Sequence, residues 1–183
     1  MAGQRLTDKT AYTENLASDD KLLIVDTSDT TGSSAGTSKK IDNKFIIQTT
    51  KVAVSSGEFQ AMDATGGGGT YKDLVAAPGS GYFVSPIVMT AIVDYASGTQ
   101  SAKLSLYVGY DTSTTAYYWT FVSGFMQGIT ADRSYAINGY TGTPNADGGA
   151  GGLDNRPLRL YASGNFSSTF SADVYVTYQV VKI

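Results

Sequence analysis

The side chains of this sequence that could do chemistry are almost all aspartates. There is no histidine and no cysteine, which removes the commonest general base, the commonest metal ligand, thiolate nucleophiles and disulfides together. Only Glu14 and Glu58 join the aspartates among sixteen acids. A hydrolase built from this inventory would need two carboxyl groups, one protonated and one ionised, flanking the scissile bond. The candidates Asp111, Asp132, Asp147, Asp154 and Asp173 stand in turns or at solvent-facing strand parities, where aspartate ordinarily serves the backbone. No catalytic residue is assigned, and a polysaccharide-degrading enzyme ranks last among the functional readings.

Other patterns point to binding rather than turnover. The run from Asp147 to Asn155, DGGAGGLDN, could wrap a calcium ion with carboxylate and backbone oxygens, but it lacks the alternating acids of a calcium loop. It reads as a flexible loop, and no metal or cofactor is expected. Tyr117, Trp119 and Phe121 share one parity of AYYWTFV. Such a stripe can stack on sugars, yet core or subunit interface is the expected use. Loop residues Tyr140, Asn145, Asp147, Asn155 and Arg156 are the candidate receptor contacts, because loops on a rigid scaffold carry recognition.

The elements that would position these groups are strands. Leu74–Tyr95 reads as an apolar strand, a Pro78-Gly79-Ser80-Gly81 corner and a second, longer apolar strand. From Ile87 onward one parity gives Ile87, Met89, Ala91, Val93 and Tyr95, while the other still carries Val88 and Ile92. A strand apolar on both faces is expected to be covered on both, the second time by another subunit. Pro86 has no N–H to give a ladder, so a bend is expected there with regular pairing from Ile87. Further strands are expected at Lys51–Ser55, Tyr71–Ala77, Ala102–Tyr110, Ala116–Val122, Ile129–Asn138, Pro157–Ser163 and Phe170–Ile183, with a short element at Glu58–Met62. Short strands at regular spacing without amphipathic helices indicate an all-β fold, here a jelly-roll-like antiparallel β-sandwich.

Charge density divides the chain. Residues 1–51 hold 14 charged residues, against 15 in the remaining 132, which suggests an N-terminal module at 1–50 and a sandwich at 51–183. In the first, Lys21–Thr27 and Ser38–Ile41 read as strands of a hairpin around a Ser/Gly/Thr tip, followed by a helical turn at Lys44–Gln48. A hairpin of this size is marginal alone, so it is expected to dock on something. The formal net charge of −3 argues against nucleic acid. No apolar run approaches a membrane span, and no signal-peptide core is expected in the polar N-terminal stretch.

Two pieces of sequence resemble bacteriophage head-fibre and tail-fibre proteins. The Ala77-Pro78-Gly79-Ser80-Gly81 corner, preceded by Asp73-Leu74-Val75 and followed by an apolar strand ending Asp94-Tyr95, is similar to the trimeric β-sandwich heads of phage fibres, and Leu104–Tyr110 fits the same pattern. Leu6-Thr7, Asp19-Asp20, Leu22–Asp26 and the GTSKK run Gly36–Lys40 resemble the anchoring module at the front of such proteins. The resemblance implies a homotrimer on the virion surface: a short fibre or capsid decoration, its N-terminus on a capsid or tail protein, its head free to bind a host glycan or protein. Leu22, Leu23, Ile24, Val25, Lys39, Lys40 and Ile41 would anchor it. Ile87, Met89, Val93, Tyr117, Trp119 and Phe121 would form the trimer contact. A free lectin-like carbohydrate-binding module is the alternative.

Overall fold

The structure is a computed structural model, and it describes residues 21–32, 34–42, 45–62, 70–110, 118–138 and 153–183. The fold divides into two units, one ending at Phe45 and one running from Ile46 to Ile183.

The first unit contains the antiparallel hairpin of β1 (Lys21–Asp26) and β2 (Thr37–Asp42), paired from Lys21↔Asp42 to Asp26↔Thr37. Its tip is held by aspartates. Asp26 accepts the Ser28 N–H at 3.0 Å, and Asp29 accepts the Thr31 N–H at 3.1 Å. Gly36 returns the chain with φ +112°, and a Cβ there would lie 2.7 Å from the Asp26 carbonyl oxygen, so only glycine fits.

Among the described residues the second unit is a sandwich of eight strands. Its strands are β3 (Gln48–Val54), β4 (Lys72–Val75), β5 (Tyr82–Ser97), β6 (Ser105–Gly109), β7 (Tyr118–Ser123), β8 (Arg133–Asn138), β9 (Leu158–Ala162) and β10 (Thr169–Lys182). One sheet runs β3-β10-β5-β8 and the other β4-β9-β6-β7, with every pairing antiparallel. First strand pairs with last, second with seventh, third with sixth and fourth with fifth. That nested order is the double Greek key of a jelly roll. The expected helical turn at Lys44–Gln48 gives way early, since Gln48 already pairs with Tyr178.

The long strand β5 starts at Tyr82 rather than Ile87, and Pro86 marks a bulge inside it. Opposite it, Tyr178 pairs with Pro86 while Thr177 pairs with Val88, so Ile87 is the extra residue. The bulge shifts the inward parity by one. Val84 and Pro86 face in before it, and Met89, Ala91 and Val93 after it, while Ile87 is 41% exposed. β10 keeps one parity throughout, with Phe170, Ala172, Val174, Val176 and Val180 buried.

The end of the sandwich near the β3–β4 connection is closed by aromatics. The helix α1 (Ser56–Ala61) is started by a capping box in which the Ser55 hydroxyl accepts the Glu58 N–H and the Glu58 carboxylate accepts the Ser55 N–H. It delivers Phe59, fully buried, against Phe170 at 4.6 Å and Phe166 at 5.9 Å between ring centres. Phe125 joins them from the β7–β8 connection, its ring tilted by 38° against Tyr135 with centres 4.5 Å apart. Buried Gln100 ties three connections together. Its side-chain oxygen accepts the Ser167 N–H at 2.8 Å, its side-chain nitrogen donates to the Ala102 carbonyl at 2.9 Å, and its own carbonyl accepts the Gly128 N–H at 2.9 Å.

Candidate functional site

The hairpin's two faces differ in what they leave unsatisfied. Strand alternation puts Leu22, Ile24, Lys39 and Ile41 on one face, and Leu23, Val25, Ser38 and Lys40 on the other. On the first face Lys39 lies 2.8 Å from Asp26 and 2.9 Å from Asp29. The hydrogen bond from Lys39 holds the Asp26 carboxyl far below the usual carboxylate range, with Ser28 adding to it. Asp29 is lowered to about 2, first by Thr31 and then by Lys39. Of the two lysines expected to meet an acidic partner, Lys39 is therefore spent within its own loop. Among the described residues Lys40 makes no ion pair. Beside it Leu23 is 76% exposed and Val25 58%, an aliphatic pair on a surface whose norm is polar.

Within the sandwich the structure relocates the aromatic stripe. Trp119 and Phe121 point inward and are buried, Trp119 packing edge-on against Tyr110 at 5.7 Å between ring centres. The Tyr110 hydroxyl donates to the Val84 carbonyl, and burial raises its pKa well above the usual phenol value. Met89 and Val93 are likewise sealed in the chain's own core. These four, expected at a subunit contact, belong to the buried core of the chain itself. Ile87 alone of the described members of that set faces out, where Ile92, 51% exposed, shares its sheet face. Tyr117 lies outside the described residues.

The expected receptor loop turns out to be partly structural. Asn155, at φ +52°, accepts the Gly79 N–H on its side-chain oxygen at 2.9 Å and donates its own N–H to the Tyr82 carbonyl at 2.9 Å. Asp154 accepts the Gly81 N–H at 2.7 Å. The two residues thus pin the Pro78–Gly81 corner to the start of β9, and Arg156 beside them is half-buried. Tyr140, Asn145 and Asp147 lie outside the described residues.

The candidate acids are also employed. Asp132 accepts the Tyr95 N–H at 2.9 Å, and Asp173 pairs with Lys51 at 2.7 Å. Glu58 pairs with Lys72 at 2.5 Å, and that bond, followed by the Ser55 N–H, lowers its pKa to about 2. Glu58, Asp94, Asp132 and Asp173 border an open depression of about 600 Å³ on the first sheet. Three of these four are committed to neighbouring cations or backbone, and among the described residues no cluster suited to a metal ion is present. Asp111 lies outside them.

The outer face of the second sheet carries residues to which the sequence reading gave no role. Opposite the inward Leu106, Val108, Leu158 and Leu160, the strands β6 and β9 present Tyr107 and the pair Arg159 and Tyr161 outward. Tyr107 sits directly across from Tyr161, ring centres 5.5 Å apart. The Arg159 guanidinium lies 3.9 Å from the centre of the Tyr71 ring and bonds Asp73 at 2.8 Å. The signal was the minor parity of YVG and RLY, whose residues gather into one group only when β6 and β9 pair.

No family model matches the chain, and no curated protein matches it. Among solved structures it is similar to a chain of the cyanophage Pam1 capsid asymmetric unit, with 14% identity, 97% of this chain and 98% of that one covered, and a TM-score of 0.39. It is also similar to the PRD1 vertex protein P5, with 14% identity, 72% and 96% covered, and a TM-score of 0.34. Likenesses at this level fix neither family nor function.

Proposed function

We propose that this chain is a non-enzymatic structural component of a bacteriophage particle: a short homotrimeric fibre or capsid decoration whose hairpin unit docks on a capsid or tail protein and whose jelly roll projects from the virion surface. The observation that carries this reading is the hairpin itself. Two strands have no hydrophobic core of their own, and an isolated hairpin is at best marginal in water. Yet this one leaves Leu23 and Val25 exposed, with Lys40 directly across the strand pair from Leu23. A partner that covers them supplies the missing burial. The order of the parts, small hairpin unit first and sandwich second, agrees with the sequence resemblance to phage fibre proteins.

The trimer is part of the proposal. Its contact would lie on the outer face of the first sheet around Ile87 and Ile92, since Met89, Val93, Trp119 and Phe121 are occupied within each subunit. Three copies acting together turn weak single attachments into firm ones at both ends of the molecule. Imaging virions labelled with an antibody against the jelly roll tests the reading: label on every particle at fixed positions is expected, and unlabelled particles beside free soluble protein would overturn it.

A further inference from the structure

We propose that the outer face of the second sheet, around Tyr71, Tyr107, Tyr161, Arg159 and Asp73, binds a saccharide of a cell-surface polysaccharide. Three tyrosines gather on one side of a rigid sheet, carried by β6, β9 and the residue before β4; the Tyr161 hydroxyl is buried, so that residue offers part of its ring alone. Tyr107 and Tyr161 stand as cross-strand neighbours with rings tilted by 40°, and Tyr71 is 39% exposed beneath the Arg159 guanidinium. A tyrosine offers a flat apolar ring that ends in a hydroxyl, at little entropy cost on binding. A pyranose has the matching character: a flat C–H face rimmed by hydroxyls.

The polar groups at the rim carry the assignment further. Arg159 has five N–H donors in its planar fork, and among the described residues only its Nε is hydrogen-bonded, to Asp73 Oδ1. The Arg159 side chain is 19% exposed and that of Asp73 58%. The pair therefore keeps donors and an acceptor side by side at the margin of the rings, held in place by its own ion pair and by the Tyr71 ring. Neighbouring donors and acceptors next to a stacking surface suit a polyol better than a purely apolar segment, which would leave them unpaired. A nucleobase would also stack, but a chain of net charge −3 repels the phosphates that must come with it.

This inference deepens the reading of a projecting head and rests on it only for the source of the sugar; the binding itself is a property of the purified chain. The experiment titrates the full-length protein calorimetrically with cellohexaose, maltohexaose and a purified lipopolysaccharide O-antigen, and separately with an oligothymidylate. Binding to at least one saccharide is expected, weakened about tenfold or more by Tyr71→Ala or Tyr107→Ala as a stacking ring is lost, and retained by Tyr71→Phe and by a change at the exposed α1 residue Gln60, Gln60→Ala. Should Tyr107→Ala fail to fold, Tyr71→Ala and Asp73→Ala carry the test. No binding to any of the three saccharides, undiminished binding by the alanine variants, or preference for the oligothymidylate would overturn it. Saccharide binding by a protein that does not label virions would leave this inference standing and remove the virion reading.

Discussion

Asn155 accepts the backbone N–H of Gly79 across the mouth of the sandwich, joining a loop and a corner that are 76 residues apart in sequence. Its positive φ is one that few residues besides glycine and asparagine adopt readily. Asn155→Ala should lose the hydrogen bond and meet backbone strain, lowering stability by about 1–2 kcal/mol. Asn155→Gly should relieve the strain but not restore the bond. Urea unfolding midpoints rank the three proteins, and an alanine variant as stable as the parent would refute the role.

The opposite end depends on its aromatic plug. Phe59 has no exposure and touches Phe125, Phe166 and Phe170. Phe59→Ala should cost about 3–5 kcal/mol, the range for emptying a fully packed aromatic site. The denaturant midpoint should fall with the slope unchanged. A loss below about 1 kcal/mol would mean the plug closes without that ring.

Glu58 gives the fold an acid-sensitive joint. Its pKa is lowered from 4.5 to about 2, chiefly by Lys72 and then by the Ser55 N–H. A group depressed in the folded state contributes its stability fully above its unfolded pKa and loses it as pH falls through the folded value. The expected loss therefore lies between about pH 4.5 and 2. Because the carboxylate is partly exposed, screening keeps the effect modest. Thermal melting against pH should show a shallower acid slope for Glu58→Gln than for the parent across that window.

Much of the architecture was legible in the sequence, and the reasons are local. The β10 run from Phe170 to Val180 alternates without a break, and the turn residues between segments separate every strand of the sandwich in order. Pro86 announced an irregularity because it cannot donate to a ladder. What the sequence did not reveal is that the bulge exchanges faces: Ile87 goes out and Met89 stays in, so an apparently two-faced strand is one-faced on either side of a single inserted residue. Likewise the parity of Trp119 and Phe121 was readable but its destination was not. A stripe fits the facing sheet of the same chain as well as another subunit, and only the three-dimensional pairing decides. Lys39 looked free for a partner because Asp26 and Asp29 come to it through the curl of the hairpin tip.

The corrected faces separate folding from assembly. Met89→Lys should abolish folding, since it buries an unpaired charge in the core. Ile92→Lys, on the exposed face, should leave the unfolding midpoint within about 0.5 kcal/mol of the parent and convert a trimer to a monomer by light scattering. A parent protein that is already monomeric at micromolar concentration would remove the trimer from the account.

The central claim is that the exposed aliphatics of β1 attach this chain to a phage particle. Cosedimentation of the full-length protein with virions stripped of it tests this most directly, comparing the parent with the Leu23→Asp/Val25→Asp double variant. The account predicts that the parent pellets with the particles and the variant stays in the supernatant with its jelly roll still folded. Equal pelleting of the two proteins, or a parent that never associates with the particle, would contradict it.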